Sequence, residues 1–386
     1  MASIPKGLLS DGEVSERIFN HIDNKTSDKG DEVWHEPVEH YHCTTRFADE
    51  VRLLKHLPVP FCPSAAIPNV GDYVARSAAG TPLVVVRCED GTVRAFRNAC
   101  RHRGMQVAQG SGCAKYFVCA YHGWAYRLDG RLQHIPHRQG FPGLDDNHHG
   151  LKPVDATESH GLVFVTQEPP IGRGALDGLD TIPKLLTPDQ TIFASNENTS
   201  GVNWKLNMEA NLEGLHIKTL HPESFFPYGY DNLTILESFG NNNRVTFPFR
   251  RIEKLRDTPV ESRNVAGQLT YVYHLFPNVA IAVLSNHTSV TISEPLTTTS
   301  TRFITYKMTN SGEQSSETNI ARAKRDAGFL ADTGNQEDAA AVRAIQEGLT
   351  SGANKHFTFG HYEQSIVHFH KTLTVALENL SSEGNL

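Results

Sequence analysis

The chain has 386 residues, 39% of them apolar and 20% charged, so it is long enough to bury a sizeable core, and its composition excludes a disordered tail or a collagen. A formal charge of −7, from 43 acidic and 36 basic residues spread along the chain, gives no electrostatic footprint for nucleic acid or an anionic membrane. Purely apolar runs such as Val279 to Leu284 fall far short of the ~18 residues of a membrane span. The opening MASIPKGLLSDGEVSERIF lacks the apolar core of a signal peptide, and a cytoplasmic protein is expected.

Residues 1–45 are polar and read as a lead-in arm, with a short helical pattern around Glu13 to Ile22. Residues 46–167 read as a small all-β domain. Strand-like runs Pro82–Arg87 and Thr92–Phe96 flank Asp90-Gly91, and Gly123–Leu128 and Arg131-Leu132 flank Asp129-Gly130, both dipeptides being hairpin signals. A last strand is expected at His160–Thr166. The Pro/Gly-rich stretch Glu168–Gly174 reads as a linker opening a second domain over 168–386. There the strand candidates are Leu233–Phe239, Arg244–Arg250, Leu269–Phe276, Val279–Leu284, His287–Glu294 and Arg302–Met308. Their short connections imply an antiparallel meander. Helices are expected at Asn203 to about Leu220, Asn335–Leu349 and Tyr362–Leu380, which makes the fold class α+β.

All six cysteines (Cys43, Cys62, Cys88, Cys100, Cys113, Cys119) lie in the first 119 residues, whereas the 20 histidines run the whole length. A cytoplasmic chain of this size has no need of disulfide staples, so metal or thiol chemistry is favoured. Cys100-Arg-His102 and, after sixteen intervening residues, Cys119-Ala-Tyr-His122 each offer one thiolate and one imidazole. A structural Cys2His2 zinc site is the competing reading, but zinc fingers usually pair like with like, and here the Cys-then-His order repeats. The other four cysteines lack a histidine at this spacing and read as small buried hydrophobes. The pairs His40/His42 and His134/His137 read as solvated surface residues.

The second constellation is Asn203-Trp-Lys-Leu-Asn-Met-Glu209-Ala-Asn-Leu-Glu213-Gly-Leu-His216, followed by His221-Pro222. At about 100° per residue, Trp204, Met208, Leu212 and Leu215 form a packing stripe, with Glu209, Glu213 and His216 on another face. In an unbroken helix His221 would point about 140° from His216, so the helix must distort or end near Pro222 for the two to meet. Further along, residues 338, 342, 345 and 349 lie within about 40° of one line, which puts Asp338 on an apolar face where an unpaired carboxylate is costly. A metal would compensate that charge. Two histidines and one carboxylate make the facial triad of non-haem ferrous oxygenases. A rival assignment has Glu213 beside His216 as ligand, leaving Asp338 without a purpose.

The order C-x-H, sixteen residues, C-x-x-H, with glycine soon after each histidine, resembles the Rieske motif. With the Asn-Trp-Lys lead, E-x-x-H-x4-H and a late helical Asp, residues 46 to 380 resemble the catalytic α-subunit of the Rieske non-haem iron oxygenases, the aromatic-ring-hydroxylating dioxygenase family. The resemblance implies a Rieske [2Fe–2S] cluster on Cys100, His102, Cys119 and His122, and a mononuclear Fe(II) on His216, His221 and Asp338. Histidine ligands lower the cluster's negative charge and raise its potential. It further implies a helix-grip, START-like catalytic domain. Glu213 matches the carboxylate that bridges a Rieske histidine of one subunit to an iron-ligand histidine in the next. Most members have Asp there, and Glu resembles a minority that includes carnitine-type monooxygenases.

Dioxygen as cosubstrate and a ring-shaped homotrimer are implied too, with an accessory β-subunit left open. The chain has no G-x-G-x-x-G fingerprint, so NAD(P)H enters through a separate reductase, with or without a ferredoxin. Hydroxylation or dihydroxylation of an aromatic or other small molecule is expected, with oxidative demethylation or quaternary-ammonium oxidation as the alternative. A pure electron carrier or a zinc-stabilised binding module are the readings outside this class. Phe225, Phe226, Tyr228, Leu284 and Asn286 are candidate pocket-lining residues, and core packing explains such side chains equally well.

Overall fold

A computed structural model describes residues 7–312 and 316–383. The first six residues of the opening stretch lie outside that range. The chain divides into two compact units, one of residues 54–172 with 184–188, the other of residues up to 53, 173–183 and from 189 on.

The smaller unit is all β. A seven-stranded antiparallel sheet runs in the order Val59–Pro63, Leu162–Thr166, Pro153–Ser159, Val93–Arg97, Thr81–Arg87, Asp72–Ala78, Gly110–Cys113. A three-stranded meander, Tyr116–Val118, Ala125–Arg127 and Leu132–His134, stands beside it. Both Asp-Gly steps turn hairpins, with Gly91 at φ 78° and Gly130 at φ 83°, where L side chains are strained. The core joins Val84, Val86 and Phe96 to Phe117, Trp124 and Tyr126, and the buried Cys100 and Cys119 sit in it.

The larger unit is α+β. Its helices are α1 (Asp11–Asn24), α2 (Thr44–His56, which runs across the boundary), α3 (Trp204–Ala210), α4 (Ile217–Leu220), α5 (Glu317–Asp332), α6 (Gly334–Gly348) and α7 (Gln364–Glu383). Its seven-stranded sheet has the order Ile192–Ser200, Ser300–Met308, Thr288–Thr297, Val279–Val283, Leu269–Leu275, Asn242–Pro248, Ile235–Phe239, a meander apart from the first strand. One face of this sheet carries the helices. Ser293 donates to the Met208 sulfur of α3 at 3.4 Å, the His274 and Phe369 rings of sheet and α7 lie 5.2 Å apart, and Phe303 packs with Leu206 and Val342 of α3 and α6. The other face takes Val14, Ile18 and Phe19 of α1 against Leu269, Tyr271 and Val283.

Several elements differ from their sequence expectation. The expected helix from Asn203 to Leu220 stops after Ala210, where Asn211 turns back to cap Met208 and Glu209, and resumes only for α4. The polar arm carries α1 where the helical pattern was expected, with a Ser10/Glu13 capping box, and beyond expectation a strand Trp34–Pro37 that pairs with His356–Phe359; α2, also unexpected, begins at the arm's end. That arm has no separate core and packs into the larger unit, because the apolar stripe of α1 is completed only by the sheet. Helix α5 has no counterpart among the expected elements. Cys62 and Cys88 are buried as expected, but Cys113 is exposed at the end of its edge strand.

Candidate metal centres

In the smaller unit the two Cys/His loops repeat one backbone pattern. The N–H of Cys100 donates to Met105 O and its carbonyl accepts from Gly104; the N–H of Cys119 donates to Trp124 O and its carbonyl accepts from Gly123, all at 2.8–2.9 Å. Both glycines lie in the left-handed region, at φ 82° and 72°, which is why glycine follows each histidine. The twin turns bring the Nδ1 atoms of His102 and His122 to 3.1 Å from one another. Trp124 stacks flat on His102 at 5.0 Å and fixes its plane. The Cys100 sulfur lies 3.1 Å from the Tyr126 hydroxyl, which also accepts from Arg101 N at 2.8 Å. Burial raises the Cys100 thiol and Cys119 beside it adds to the rise, while Tyr126 works against it. Two adjacent buried thiols and two converging imidazole nitrogens are a donor set that suits iron and sulfide.

In the larger unit, α3 is anchored by its first residues. The Asn203 side chain caps Lys205 N at 3.0 Å and donates to Tyr41 O and Thr298 O. Trp204 Nε1 donates to Glu50 of α2 at 3.0 Å, and the fully buried Lys205 bonds the same carboxylate at 2.7 and 2.8 Å. Beyond the break after Ala210, His216 caps α4 and His221 ends it at φ −115°, ψ 44°, outside the helical region that Pro222 disfavours. Because α4 ends at Leu220 and His221 leaves the helical conformation just before Pro222, the two rings approach to 5.2 Å.

The donor atoms of His216, His221 and Asp338 all lie within 4.8 Å of one another. Asp338 Oδ1 is 2.9 Å from His221 Nε2 and 3.7 Å from His216 Nε2. Behind each imidazole stands a second carboxylate. Glu213 accepts from His216 Nδ1 and from the backbone N–H of Leu215, while Glu337 lies 2.7 Å from His221 Nδ1 and accepts from Ser224 Oγ at 2.5 Å. Burial opposes charge on His221, but its bonds to Asp338 and Glu337 outweigh that and raise its pKa; bonds to His221 and Ser224 hold Glu337 below the usual carboxylate range. The site is thus an anionic pocket with two imidazoles aimed at one point, which fits a divalent cation with open positions.

Glu337 was not among the sequence candidates. Its signal was its place next to Asp338, about 100° round α6, which puts it on the far, Nδ1 side of His221. Glu209 is buried rather than solvated: it accepts from Tyr41 OH at 2.7 Å and lies 2.9 Å from His370 Nε2. His40 bonds Glu36 at 2.6 Å instead of facing solvent alone. Of the candidate lining residues, Phe225 packs its ring 4.6 Å from His221. Phe226 lies between Lys218 and Arg250, Tyr228 is 57% exposed, Asn286 bonds Asp326 of α5, and Leu284 closes a turn with His287.

A mixed Cys/His cluster site in a β unit and a two-histidine, one-carboxylate site in an α+β unit define a two-centre iron protein. Residues 58–146 match the Rieske [2Fe-2S] domain and residues 189–379 match the ring hydroxylating alpha subunit catalytic domain. The chain belongs to the Rieske non-haem iron oxygenase α-subunit family. Members carry a Rieske cluster and a non-haem iron and receive electrons from partner proteins. Over 192 residues the chain is 37% identical to the glycine betaine monooxygenase oxygenase subunit of Chromohalobacter salexigens, a match spanning 48% of this chain and 43% of that one. It is 29% identical over 264 residues to the carnitine monooxygenase oxygenase subunit of Escherichia coli K12, spanning 61% and 68%. A solved quaternary ammonium Rieske monooxygenase in complex with L-carnitine shares the fold, with a TM-score of 0.73 at 21% identity over 89% of this chain and 95% of that one. Among the described residues, no helix is long and apolar enough to cross a membrane.

Proposed function

We propose that this chain is the terminal oxygenase of a multicomponent system, oxidising a small organic substrate with dioxygen, two electrons and two protons to give an oxygenated product and water. The carrying observation is the convergence of His216, His221 and Asp338 in a chain that also holds the twin Cys/His loops. In this reading Cys100, His102, Cys119 and His122 hold the cluster, and His216, His221 and Asp338 hold the mononuclear iron. When bound, the cluster supplies single electrons and the ferrous ion supplies open coordination positions for dioxygen.

Each protein group then has a defined task. Glu213 fixes the His216 ring by accepting from Nδ1, so that Nε2 faces the metal, and Glu337 with Ser224 does the same for His221. In a homotrimer, Glu213 is the contact for a neighbouring subunit's cluster histidine. A reductase, with or without a ferredoxin, delivers electrons from NAD(P)H. Residues 54–172 act as the electron store and the larger unit as the catalytic domain.

Among substrates, the reading favours a small quaternary-ammonium or N-methyl compound over an aromatic hydrocarbon. Its support is the likeness to the glycine betaine and carnitine subunits and the glutamate at 213. The test is oxygen uptake by iron-loaded protein with a reductase, with product identification across N-methyl and aromatic compounds. Substrate-dependent uptake with a demethylated or hydroxylated product is expected. A protein with an intact cluster spectrum that consumes no oxygen with any of them refutes the reading.

A further inference from the structure

The helix-carrying face of the larger sheet changes character along its length. Near α3 and α6 it is packed, with Phe303 against Leu206 and Val342. Further along, the same face presents small or polar residues that the helices leave half-buried. Ala280, Thr291 and Thr305 form one cross-strand row, and Ala282, Ser289 and Lys307 the next. Residues two apart on a strand share a face, so Phe303, Thr305 and Lys307 point the same way. Lys307 turns its ammonium toward α5, where Nζ reaches Ala327 O at 3.4 Å, and it has no carboxylate partner among the described residues. The neighbouring acid does not neutralise it: Asp326 is bonded to His287 Nδ1 at 2.8 Å and to Asn286. A half-buried lysine with one weak carbonyl contact, facing a row of small side chains, has donors to offer a ligand.

Phe303 meets α6 at Val342, one turn from Asp338, and Lys307 lies four residues beyond Phe303, about 13 Å along the strand. Helix α5, which carries Ala327, packs beside α6, which carries Asp338.

We propose that Lys307 is a specificity-determining residue that binds the carboxylate of an anionic or zwitterionic substrate, whose oxidisable end then reaches the site of His216, His221 and Asp338. This deepens the oxygenase reading and rests on it for the identity of the site.

The experiment is calorimetric titration of iron-loaded protein under argon with two matched pairs, glycine betaine against choline and benzoate against benzamide. In at least one pair the carboxylate should bind more tightly than its uncharged-end counterpart. Lys307→Met and Lys307→Gln should weaken that carboxylate by roughly tenfold or more, as expected for loss of a charge-assisted hydrogen bond, and leave the counterpart unchanged. Lys307→Arg should restore most of it. In turnover the same variants should raise KM for the carboxylate with little change in kcat. Equal affinities within both pairs, no binding of either carboxylate, or unchanged affinities in Lys307→Met and Lys307→Gln would each overturn the proposal. Carboxylate binding that depends on Lys307, without oxygen uptake, would instead overturn the oxygenase reading and leave the anchor standing.

Discussion

Asp338 and Glu213 are both carboxylates within reach of His216, and their geometry assigns them opposite sides of the ring. Asp338 approaches Nε2 and Glu213 takes Nδ1. Asp338→Ala should therefore abolish retention of the mononuclear iron while leaving the visible absorption of the cluster intact, checked by metal analysis beside the spectrum. Glu213→Gln should keep both metals and slow product formation; loss of iron in that variant would make Glu213 a ligand after all. Glu337→Ala should lower iron affinity by roughly 10- to 100-fold, because it removes the acceptor that orients His221. Competition with a calibrated chelator reads that shift directly. The convergence of His216, His221 and Asp338 was legible in the sequence because a two-histidine, one-carboxylate set is defined by residue type and spacing. Glu337 was not, because a carboxylate behind a histidine carries no spacing rule of its own.

Helix α3 is short, seven residues, and its position depends on tertiary anchors more than on propensity. Trp204 and Lys205 share Glu50, and the Lys205 and Glu50 side chains are both fully buried. Burial pulls the lysine down and the Glu50 charge holds it up, so the pair stands only while both partners are present. Glu50→Ala is expected to destabilise the protein by about 3–5 kcal/mol, the cost of leaving a buried charge uncompensated, measured by chemical denaturation. The Asn-Trp-Lys lead was visible as a motif, yet its reason lies in an α2 residue about 150 positions away. Helical periodicity failed at 211–216 for a related reason. The Asn211 cap ends the helix where the stripe of apolar residues continues, since Leu212 is buried by the fold without being helical.

For the molecule as a whole, a buried polar chain ties the N-terminal arm to α3 and α7. Glu36 accepts from Trp34 and lies 2.6 Å from His40 and 3.3 Å from His370, whose other nitrogen lies 2.9 Å from Glu209. Burial works against charge on His370, but the bonds to Glu209 and Glu36 raise it above its ordinary 6.5. Burial likewise opposes ionised Glu36, and its histidine partners outweigh that and hold it below its ordinary 4.5. The histidine's contribution is complete below 6.5 and is lost as pH rises through its raised folded value. The carboxylate's contribution is complete above 4.5 and is lost as pH falls through its lowered one. Stability from this chain should therefore be greatest between about pH 4.5 and 6.5 and decline on the alkaline side. Denaturation midpoints from pH 5 to 9 should show that decline in the natural protein and a flatter profile in His370→Gln.

The sequence by itself determined the chemistry: two thiolates and two imidazoles in repeated Cys-then-His order, a histidine pair with a distant helical aspartate, the Asp-Gly hairpins and the antiparallel meander. These are legible because ligand type, turn glycine and strand alternation are local requirements. Only the tertiary structure decided where α3 breaks, that the arm belongs to the larger unit, that Glu337 and Ser224 back His221, and that Lys307 faces the helices with no carboxylate partner among the described residues. Each of those depends on burial and on partners far apart in the chain, and burial is a property of the packed molecule rather than of any window of its sequence.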